Sequence, residues 1–324
     1  MQKIAVIIPC YKVDKSLHKL LNNIGNEVSY IYCVDDACPN KSYKIAEECS
    51  MIDSRIKVIR HSKNQGEGAA MKTGYTEALK SDANVLVKMD GDGQMDPYKT
   101  PKLVKPITDG DADYVKGNRF FNLEGLGSMP YTRLFGNIVL SLLSKISTGY
   151  WHLFDPTNGF TAIHRSVLLI IPLEKLHKKY FFESDLLFRL NIIHAVVAEV
   201  PIPAIYEDEE SNLNIFNVIL TFPFLHFIIF IKRIIYNYYL RNFSVASLNL
   251  VIGLVLIMFG SFYGISKWVN NLGSYEPTPA GIVMMSALPI IIGFQLILNF
   301  LSYDIERINT IPIHKQLQNN YEKS

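Results

Sequence analysis

Two aspartates, Asp90 and Asp92, stand one residue apart in the stretch VKMDGDGQMDP, directly after an apolar run. A glycine lies between them and a glycine and a proline follow, which is typical of a tight turn. Carboxylates this close repel each other unless they share a cation, and Mg²⁺ or Mn²⁺ prefers oxygen ligands from both protein and substrate phosphates. The pattern therefore indicates a divalent-cation site for a phosphorylated substrate, and a turn without a ligand is the alternative interpretation.

Alternating strand and helix patterns before residue 210 predict the elements that hold this site. Five runs are each typical of a buried strand, and helical spacing separates the first four: KIAVIIP, YIYCVDD, RIKVIRH, ANVLVKMD and ADYVKGN. Such a series builds a mostly parallel sheet with helices on both faces, and its ligands bind beyond the carboxyl ends of the strands. The polar residues at these ends are Tyr11, Asp35, Asp36, Lys63, Asn64, Asp90 and Asp92.

The composition limits what the rest of the chain can do. Of the 324 residues, 49% are hydrophobic, which is more than a soluble core needs, so we expect part of the chain in a membrane. The formal net charge of +2 gives no basis for a nucleic-acid partner. The cysteines lack C-x-x-C spacing and the N-terminal apolar run is too short for a signal peptide. We therefore expect the first domain, residues 1–210, in the reducing cytosol.

Two uncharged stretches, residues 242–266 and 277–303, are each long enough to cross a bilayer as a helix. The turn NNLGSYEPTP between them contains no Lys or Arg, whereas basic residues precede the first stretch and follow the second. The positive-inside rule then places both ends in the cytosol. The predicted organisation is a pair of transmembrane helices at residues 244–303 and a cytosolic tail at residues 304–324.

A third uncharged stretch, residues 211–231, has two interpretations. As a third span it would put the basic cluster that follows it outside, against the positive-inside rule. We therefore interpret residues 211–243 as interfacial amphipathic helices, with Pro223 in the first turn of a new helix. Their polar face lies opposite Phe, Ile and Leu and consists of His226, Arg233, Asn237 and Arg241. On this face, Arg233 and Arg241 are expected to lie near anionic headgroups.

Six short motifs carry a resemblance to a known family. In their order and spacing, VIIPCYK, VDDACPN, HSKNQGEGAAMKTGY, DGDGQMDP, GNRF and DPTNGF resemble the motifs of family 2 glycosyltransferases with a GT-A fold. More narrowly, almost the whole chain resembles the polyisoprenyl-phosphate glycosyltransferases, relatives of dolichol-phosphate mannose synthase. The resemblance implies a Rossmann-like α/β catalytic domain followed by interfacial helices and two transmembrane helices.

The resemblance also implies a site for a UDP- or GDP-linked sugar. The residues that would bind this donor are Pro9, Tyr11, Asp35, Asp36, Asn64, Gly66, Asp90 and Gln94. Among them, Pro9, Tyr11 and Asp36 would line the base and ribose. Asp90 and Asp92 would bind Mg²⁺ or Mn²⁺ together with the diphosphate.

Three further residues would act on the acceptor, a lipid phosphate. Arg119 in GNRF and Arg133 in YTRLFGN match basic positions that face the phosphates in relatives. A guanidinium group can hold phosphate oxygens in a planar fork, which suits this role. Asp155 in DPTNGF would orient the acceptor or take its last proton.

Other acidic residues depart from the family pattern or have two interpretations. Many relatives have Lys at the position of Glu67, and this lysine contacts the sugar donor. That contact cannot be carried over to this chain, in which Lys63 or Lys72 is only a candidate substitute. Glu183 or Asp185 occupies the region where family 2 enzymes that glycosylate hydroxyl groups have a base. Acidic residues are also favoured at the start of a helix, which FFESDLL predicts there.

The function expected from these patterns is inverting transfer of one sugar to an undecaprenyl-type polyprenyl phosphate. The enzyme would be an integral protein of a bacterial inner membrane, with its catalytic domain in the cytosol and membrane lipids as partners; a homo-oligomer is left open. One alternative is a processive polysaccharide synthase, although Trp151 and Trp268 do not lie in the Q-x-x-R-W motif that is usual there. The other alternative is a membrane-anchored protein that binds a nucleotide sugar without catalysis.

Overall fold

The computed structural model describes residues 2–120, 131–156, 158–202, 215–272 and 277–321, with only the backbone described at 131–135, 215–220 and 318–321. The chain divides into two compact units. We call Met1–Phe230 together with Asn309–Ser324 the sheet unit, and Ile231–Ile308 the helical unit.

The sheet unit is built on a seven-stranded sheet with the strand order β3-β2-β1-β4-β6-β5-β7. The strands are β1 (Ile4–Cys10), β2 (Val28–Asp35), β3 (Ile56–Arg60), β4 (Val85–Lys88), β5 (Tyr114–Asn118), β6 (Thr161–His164) and β7 (Val197–Pro201). Among these described strands only β6 runs antiparallel, to both β4 and β5. The predicted mostly parallel sheet is confirmed, and its five predicted strands are β1 to β5.

Both faces of this sheet are buried, which explains why its strands are continuous apolar runs. In β1, Val6 and Ile8 belong to one hydrophobic core, and Ala5 and Ile7 belong to the other. The first core is covered by α1 (Leu17–Asn22), α2 (Ser42–Ser50) and α4 (Thr100–Thr108). The second core is covered by α3 (Glu67–Ala78), α6 (Arg165–Ile170) and α7 (Phe182–Ile192). Helix α5 (Tyr131–Thr148) connects β5 to β6.

Two long helices dominate the helical unit, α9 (Val245–Asn270) and α10 (Ala280–Glu306). Among the described residues, these two are long and apolar enough to cross a membrane. Glycines allow their backbones to approach closely, since a Cβ at Gly253 would lie 2.9 Å from the carbonyl oxygen of Gly293. A Cβ at Gly260 would lie 2.6 Å from the carbonyl oxygen of Ser286.

The predicted helix start at Pro223 is wrong. Helix α8 spans Ile215–Ile235 and contains Pro223 in its interior, and a π-helical segment, Tyr236–Arg241, follows it. The sequence pattern could not show that the helix begins about two turns earlier, because Pro is also tolerated inside long apolar helices whose neighbours compensate for the lost hydrogen bond.

The predicted polar face exists, but the predicted position of Arg233 at the headgroups is wrong. His226, Arg233 and Asn237 are buried within the protein. Within the helical unit, Arg233 forms an ion pair with Asp304 of α10, with Nη1 2.6 Å from Oδ1 and Nη2 2.9 Å from Oδ2. Most of the side chains that α8 exposes over its described part are apolar, among them Phe224 and Phe227, and Lys232 is the exposed charge in its last turn. The periodicity therefore identified a polar stripe whose partners are other parts of the chain.

The last helix, α11 (Ile313–Tyr321), belongs to the sheet unit and packs against α6. The predicted tail, residues 304–324, thus begins inside α10 and belongs to the sheet unit only from Asn309 onward.

Candidate functional site

The carboxyl ends of β1, β2 and β4 meet at one edge of the sheet. Parallel pairing puts Cys10 beside Asp35 and Ile7 beside Lys88. The residues that follow these strands, including Asp36 and Asp90, therefore lie at the edge where parallel sheets bind ligands. The pairing register of the parallel strands is therefore enough to bring these predicted site residues together.

The DGDG turn after β4 is held in a fixed shape. Gly93 has φ +82°, a conformation that favours glycine, and the Ser16 hydroxyl donates to the Gly91 carbonyl at 2.7 Å. The Gln94 N–H donates to Asp92 Oδ1 at 3.0 Å. The turn thus presents the two carboxylates of Asp90 and Asp92 from a rigid backbone.

The donor set in this turn fits a hard divalent cation. Among the described residues, no group of three or more His, Cys, Asp or Glu side chains is arranged to hold a metal ion. Two carboxylates are the usual protein contribution where phosphate oxygens of a substrate and waters complete the shell of Mg²⁺. Asp90 and Asp92 therefore suit a cation that arrives with a diphosphate.

The adjacent aspartates at the end of β2 have different surroundings. Asp36 is buried and accepts hydrogen bonds from the backbone N–H groups of Gln65 and Gly66 and from His61, so it fixes the loop that follows β3. Asp35 Oδ2 accepts from the Cys38 N–H at 3.3 Å, whereas its buried Oδ1 has no partner among the described atoms. Burial raises the pKa of the Asp35 carboxyl. The geometry thus favours Asp35 over Asp36 as the group that can accept a hydrogen bond from a ligand.

Other residues that were predicted to bind the sugar donor lie in β1 or follow β1 or β3, near Asp35 and Asp36. Tyr11 and Asn64 are exposed, and Pro9 is half-buried in β1. Gly66 has φ +99°, and a Cβ there would lie 2.6 Å from the carbonyl oxygen of Lys178. The structure therefore requires glycine at position 66 for its own backbone packing, a reason that the sequence did not reveal.

A cluster of buried charges, which sequence reasoning missed, lies directly behind the DGDG turn. Lys88, the last residue of β4, is 1% exposed, and its Nζ is surrounded by three carboxylates. The distances are 2.7 Å to Glu67 Oε1, 2.8 Å to Asp90 Oδ1 and 2.9 Å to Glu183 Oε1. A second buried lysine, Lys116, lies 3.9 Å from Glu183 Oε2. The sequence signal for this cluster was an unexpected lysine inside an apolar strand.

These contacts shift the pKa values within the cluster in opposite directions. Burial, reinforced by the charges of Asp90 and Glu183, raises the pKa of Glu67 to about 7, although Lys88 opposes the shift. Burial also acts on Glu183, but Lys88 and Lys116 outweigh it and lower the pKa of that carboxyl. At neutral pH, Glu183 is therefore ionised, whereas Glu67 is a mixture of its protonated and ionised forms.

The two predicted acceptor residues Arg119 and Asp155 are bound to each other. Arg119 Nε donates to Asp155 Oδ2 at 2.8 Å and Nη2 donates to Oδ1 at 2.9 Å. Asp155 is fully buried, and its own N–H donates to Glu199 Oε1. The expectation that Asp155 takes a proton from the acceptor does not match this geometry, because both of its oxygens are engaged by Arg119. Asp155 instead fixes the guanidinium group.

The remaining predicted residues are separated by the structure. Asp185 accepts from the His177 N–H and from Arg189, away from the Lys88 cluster, so of the pair in FFESDLL only Glu183 reaches the site. Arg133 lies in α5, and its side chain is outside the described part of the structure.

Comparison with known proteins identifies the domain. Residues 5–169 match the family described as Glycosyl transferase family 2. The chain is 29% identical to the UDP-N-acetylglucosamine–dolichyl-phosphate N-acetylglucosaminyltransferase of Methanococcus voltae, over 71% of this chain and 96% of that protein. It is 30% identical to the polyprenol monophosphomannose synthase of Mycolicibacterium smegmatis, over 62% of this chain and 77% of that protein.

A solved structure shows the same fold at lower identity. Glucosyl-3-phosphoglycerate synthase from Mycobacterium tuberculosis, crystallised with Mn²⁺, uridine diphosphate and phosphoglyceric acid, superposes with a TM-score of 0.53 at 15% sequence identity. The match covers 72% of this chain and 78% of that one. The expected GT-A arrangement of the sheet unit is thereby confirmed.

Proposed function

The chain belongs to glycosyl transferase family 2, and from that premise we propose that it transfers one sugar from a nucleotide-diphosphate sugar to a polyprenyl phosphate at the cytosolic face of a membrane. The names of two similar proteins state a dolichyl phosphate and a polyprenol monophosphomannose, which supports this acceptor class. Two long apolar helices support it as well, because the polyprenyl chain of such an acceptor lies in the bilayer.

The observation that carries the acceptor class is the pairing of the carboxylates that could have served as a base. Asp155 is bound by Arg119, and Glu183 is bound by Lys88. A sugar hydroxyl needs a base to become a nucleophile, whereas a phosphate monoester, with a second pKa of about 6, is mostly ionised at neutral pH. An acceptor that is already ionised suits a site whose carboxylates are paired.

The acceptor phosphate would be positioned by arginine. Asp155 holds the guanidinium group of Arg119 by two hydrogen bonds, so that group keeps a fixed direction. We assign Arg119 and Arg133 to the acceptor phosphate and Asp155 to the positioning of Arg119.

The donor would occupy the strand-end edge. Asp35 Oδ1 would accept a hydrogen bond from the base, beside Pro9 and Tyr11. A divalent cation bound by Asp90 and Asp92 would stabilise the negative charge on the departing diphosphate. Attack by the acceptor oxygen opposite the leaving group inverts the anomeric centre, so an α-linked donor gives a β-linked lipid phosphosugar.

Chain connectivity supports the proposed membrane sidedness. Asp113, before β5, accepts hydrogen bonds from Ile313 and His314, which follow both apolar helices in the chain. Residues bonded in this way lie on one side of a membrane, so the chain between them crosses an even number of times. Two spans satisfy this condition and three do not, which supports residues 211–243 lying in the interface. The basic residues that flank the spans favour the cytosol for that side.

The experiment that tests this function uses purified protein in lipid nanodiscs with polyprenyl phosphate and a panel of radiolabelled UDP- and GDP-sugars. We expect one donor to give a labelled lipid with the mass of polyprenyl phosphate plus a single sugar, and an anomeric configuration opposite to that of the donor. Polyprenol without phosphate is the matched control acceptor and should give no product. Products with several sugars would favour the processive synthase instead, and equal transfer to polyprenol would overturn the phosphate acceptor.

A further inference from the structure

The buried ammonium group of Lys88 is in contact with one of the two aspartates that the proposed function assigns to the cation. Its three carboxylate partners come from three elements. Glu67 opens α3, Asp90 follows β4, and Glu183 lies in the first turn of α7. Burying one ammonium group among carboxylates is costly unless each contact is close, and here all three distances are below 3 Å.

Asp90 is held so that its two oxygens differ. Oδ1 faces Lys88 and is buried from solvent, whereas the side chain as a whole is 28% exposed. Part of this side chain is therefore accessible to solvent, whereas the oxygen that faces Lys88 is not. A side chain at Gly159 would overlap Oδ2 and would lie 2.6 Å from Lys88 Nζ, so glycine there leaves space beside both atoms.

The geometry points to Lys88 as a positioning residue for the donor site. Its ammonium group holds the inner oxygen of Asp90, so that the outer oxygen is presented in one fixed direction to the cation of the donor diphosphate. Glu67 and Glu183 hold the ammonium group in turn, since they contact the same nitrogen from α3 and α7. This inference rests on the proposed function, because it takes Asp90 as a ligand of that cation.

A purely structural role for Lys88 makes a different prediction. Lys88 would then only neutralise the negative charge of its three partners. Once Glu67 and Glu183 are neutral, the one charge left is that of Asp90, whose side chain is partly exposed, so Lys88 would be dispensable for stability. If Lys88 positions Asp90, a variant that lacks Lys88 and also the charges of Glu67 and Glu183 should regain stability, but its Asp90 still lacks the contact with the ammonium group. Stability and cation affinity are therefore expected to separate.

The test measures binding of Mn²⁺ in the presence of saturating UDP and, in parallel, GDP, by electron paramagnetic resonance of the unbound ion. It uses the full chain in detergent and needs no acceptor. Lys88→Met should weaken Mn²⁺ binding about tenfold or more, the size of effect that outer-sphere partners of metal ligands have. Thermal unfolding without metal is recorded for the same samples.

Lys116→Met is the matched control. Lys116 is also fully buried and near Glu183, but its Nζ donates to the carbonyl of Asn158. We expect it to lower the unfolding temperature with no change in Mn²⁺ affinity. An equal loss of Mn²⁺ affinity in Lys116→Met would show that any buried cation in this cluster has the same effect, and would overturn the special role of Lys88.

A triple variant keeps the test decisive if Lys88→Met does not fold. Lys88→Met combined with Glu67→Gln and Glu183→Gln removes the uncompensated buried charges, so it should unfold near the wild-type temperature. We expect its Mn²⁺ affinity to stay weak. Wild-type affinity in this variant would overturn the inference. Asp90→Asn separates the failure of the Lys88 proposal from the failure of the proposed function. Unchanged Mn²⁺ binding in Asp90→Asn would refute the cation site itself, independently of the acceptor.

Discussion

His314 donates its backbone N–H to Asp113 Oδ1 at 2.9 Å, and its ring Nδ1 lies 2.8 Å from the same oxygen. The Ile313 N–H donates to Oδ2 at 2.9 Å, and the Val196 N–H donates to it at 2.8 Å. Asp113 is fully buried, and these hydrogen bonds lower the pKa of its carboxyl although burial opposes the shift. One carboxylate at the start of β5 thus joins the sheet to residues that follow the helical unit.

This relationship gives a test of sidedness. In intact cells, a cysteine at position 274, between α9 and α10, should react with a membrane-impermeant maleimide. A cysteine in place of Gln316, an exposed residue of α11, should react only after the membrane is permeabilised. The native cysteines are all buried, so the unmodified chain serves as the background control. Labelling of position 316 in intact cells would restore the three-span topology.

Activity should require both aspartates of the DGDG turn. Asp90→Asn or Asp92→Asn should slow transfer about a hundredfold or more, because the lost stabilisation of the leaving diphosphate amounts to several kcal/mol. Asp96→Asn is a matched control in the same segment, since Asp96 accepts the Tyr98 N–H at the start of a short helix. Transfer rates of all three variants, with and without chelator, provide the measurement. Full activity of Asp90→Asn in excess chelator would contradict the metal role.

Arg119 and Asp155 should act as one unit. Arg119→Lys keeps the charge but loses the planar fork, and Asp155→Asn removes the group that fixes it, so each should slow transfer about tenfold or more. Because the residues are in direct contact, the double variant should be little worse than the poorer single variant. Acceptor kinetics measure the effect, and calorimetric titration with the nucleotide sugar should show a smaller change. A donor affinity that falls as much as transfer would place Arg119 in the donor site.

Glu67 should not be a catalytic base. Its pKa of about 7, caused first by burial, gives it the protonation behaviour of a base at neutral pH. The phosphate acceptor needs none, so Glu67→Gln should keep transfer within about tenfold of wild type. Transfer rates of Glu67→Gln, measured from pH 5.5 to 8.5, should still fall on the acidic side at about pH 6, because the acceptor phosphate becomes protonated there. Loss of transfer in Glu67→Gln at all pH values would favour a hydroxyl acceptor.

Docking of α11 should weaken in acid. Burial, and next the charge of stacked His314, hold the pKa of His164 at about 4, below its ordinary value of 6.5, while Asp113 opposes the shift. The docked state keeps His164 neutral where the released state protonates it, so the stability of docking is fully present above pH 6.5 and is lost toward pH 4. Hydrogen exchange of α11 amides should accelerate between pH 7 and pH 5, after correction for intrinsic rates. His164→Gln should reduce this acceleration, and an unchanged pH dependence would contradict its cause.

The Arg233 and Asp304 pair should stabilise the helical unit. Arg233→Met leaves a buried carboxylate unpaired and should cost about 3–5 kcal/mol, whereas Arg233→Met with Asp304→Leu should recover most of that loss. Thermal unfolding in detergent measures both variants. Arg241→Gln, at an exposed position, is the control and should have little effect. Equal effects of Arg233→Met and Arg241→Gln would return Arg233 to a role at the headgroups.

The sequence was informative where one local pattern determines the outcome. Apolar runs that end in polar residues predicted β1 to β4, and parallel pairing then brings Asp35 and Asp90 to one edge. Strands β6 and β7 were missed although they are as long as β4 and β5, which were predicted; β6 lies directly after the loop motif DPTNGF, and β7 is interrupted by Glu199. Short strands depend on their neighbours in the sheet more than on their own pattern.

The side-chain pairs of the site could not be predicted because they join distant segments. Lys88 and Glu183 are 95 positions apart in the chain, and Arg119 and Asp155 are 36 apart. The polar stripe of α8 shows a related limit. Helical periodicity determines which side chains share a face, but whether that face meets water, lipid headgroups or another helix depends on the partner that the fold supplies.

The contact between Asp113 and α11 also bears on the order in which the protein is made. The ribosome completes the strands of the sheet before it reaches residue 313, so Asp113 gains its hydrogen bonds to Ile313 and His314 only after the whole helical unit has been synthesised. If α9 and α10 cross a bilayer as proposed, these bonds form only in a chain that has inserted the two helices as a hairpin. Completion of the sheet unit would then depend on correct insertion of the helical unit.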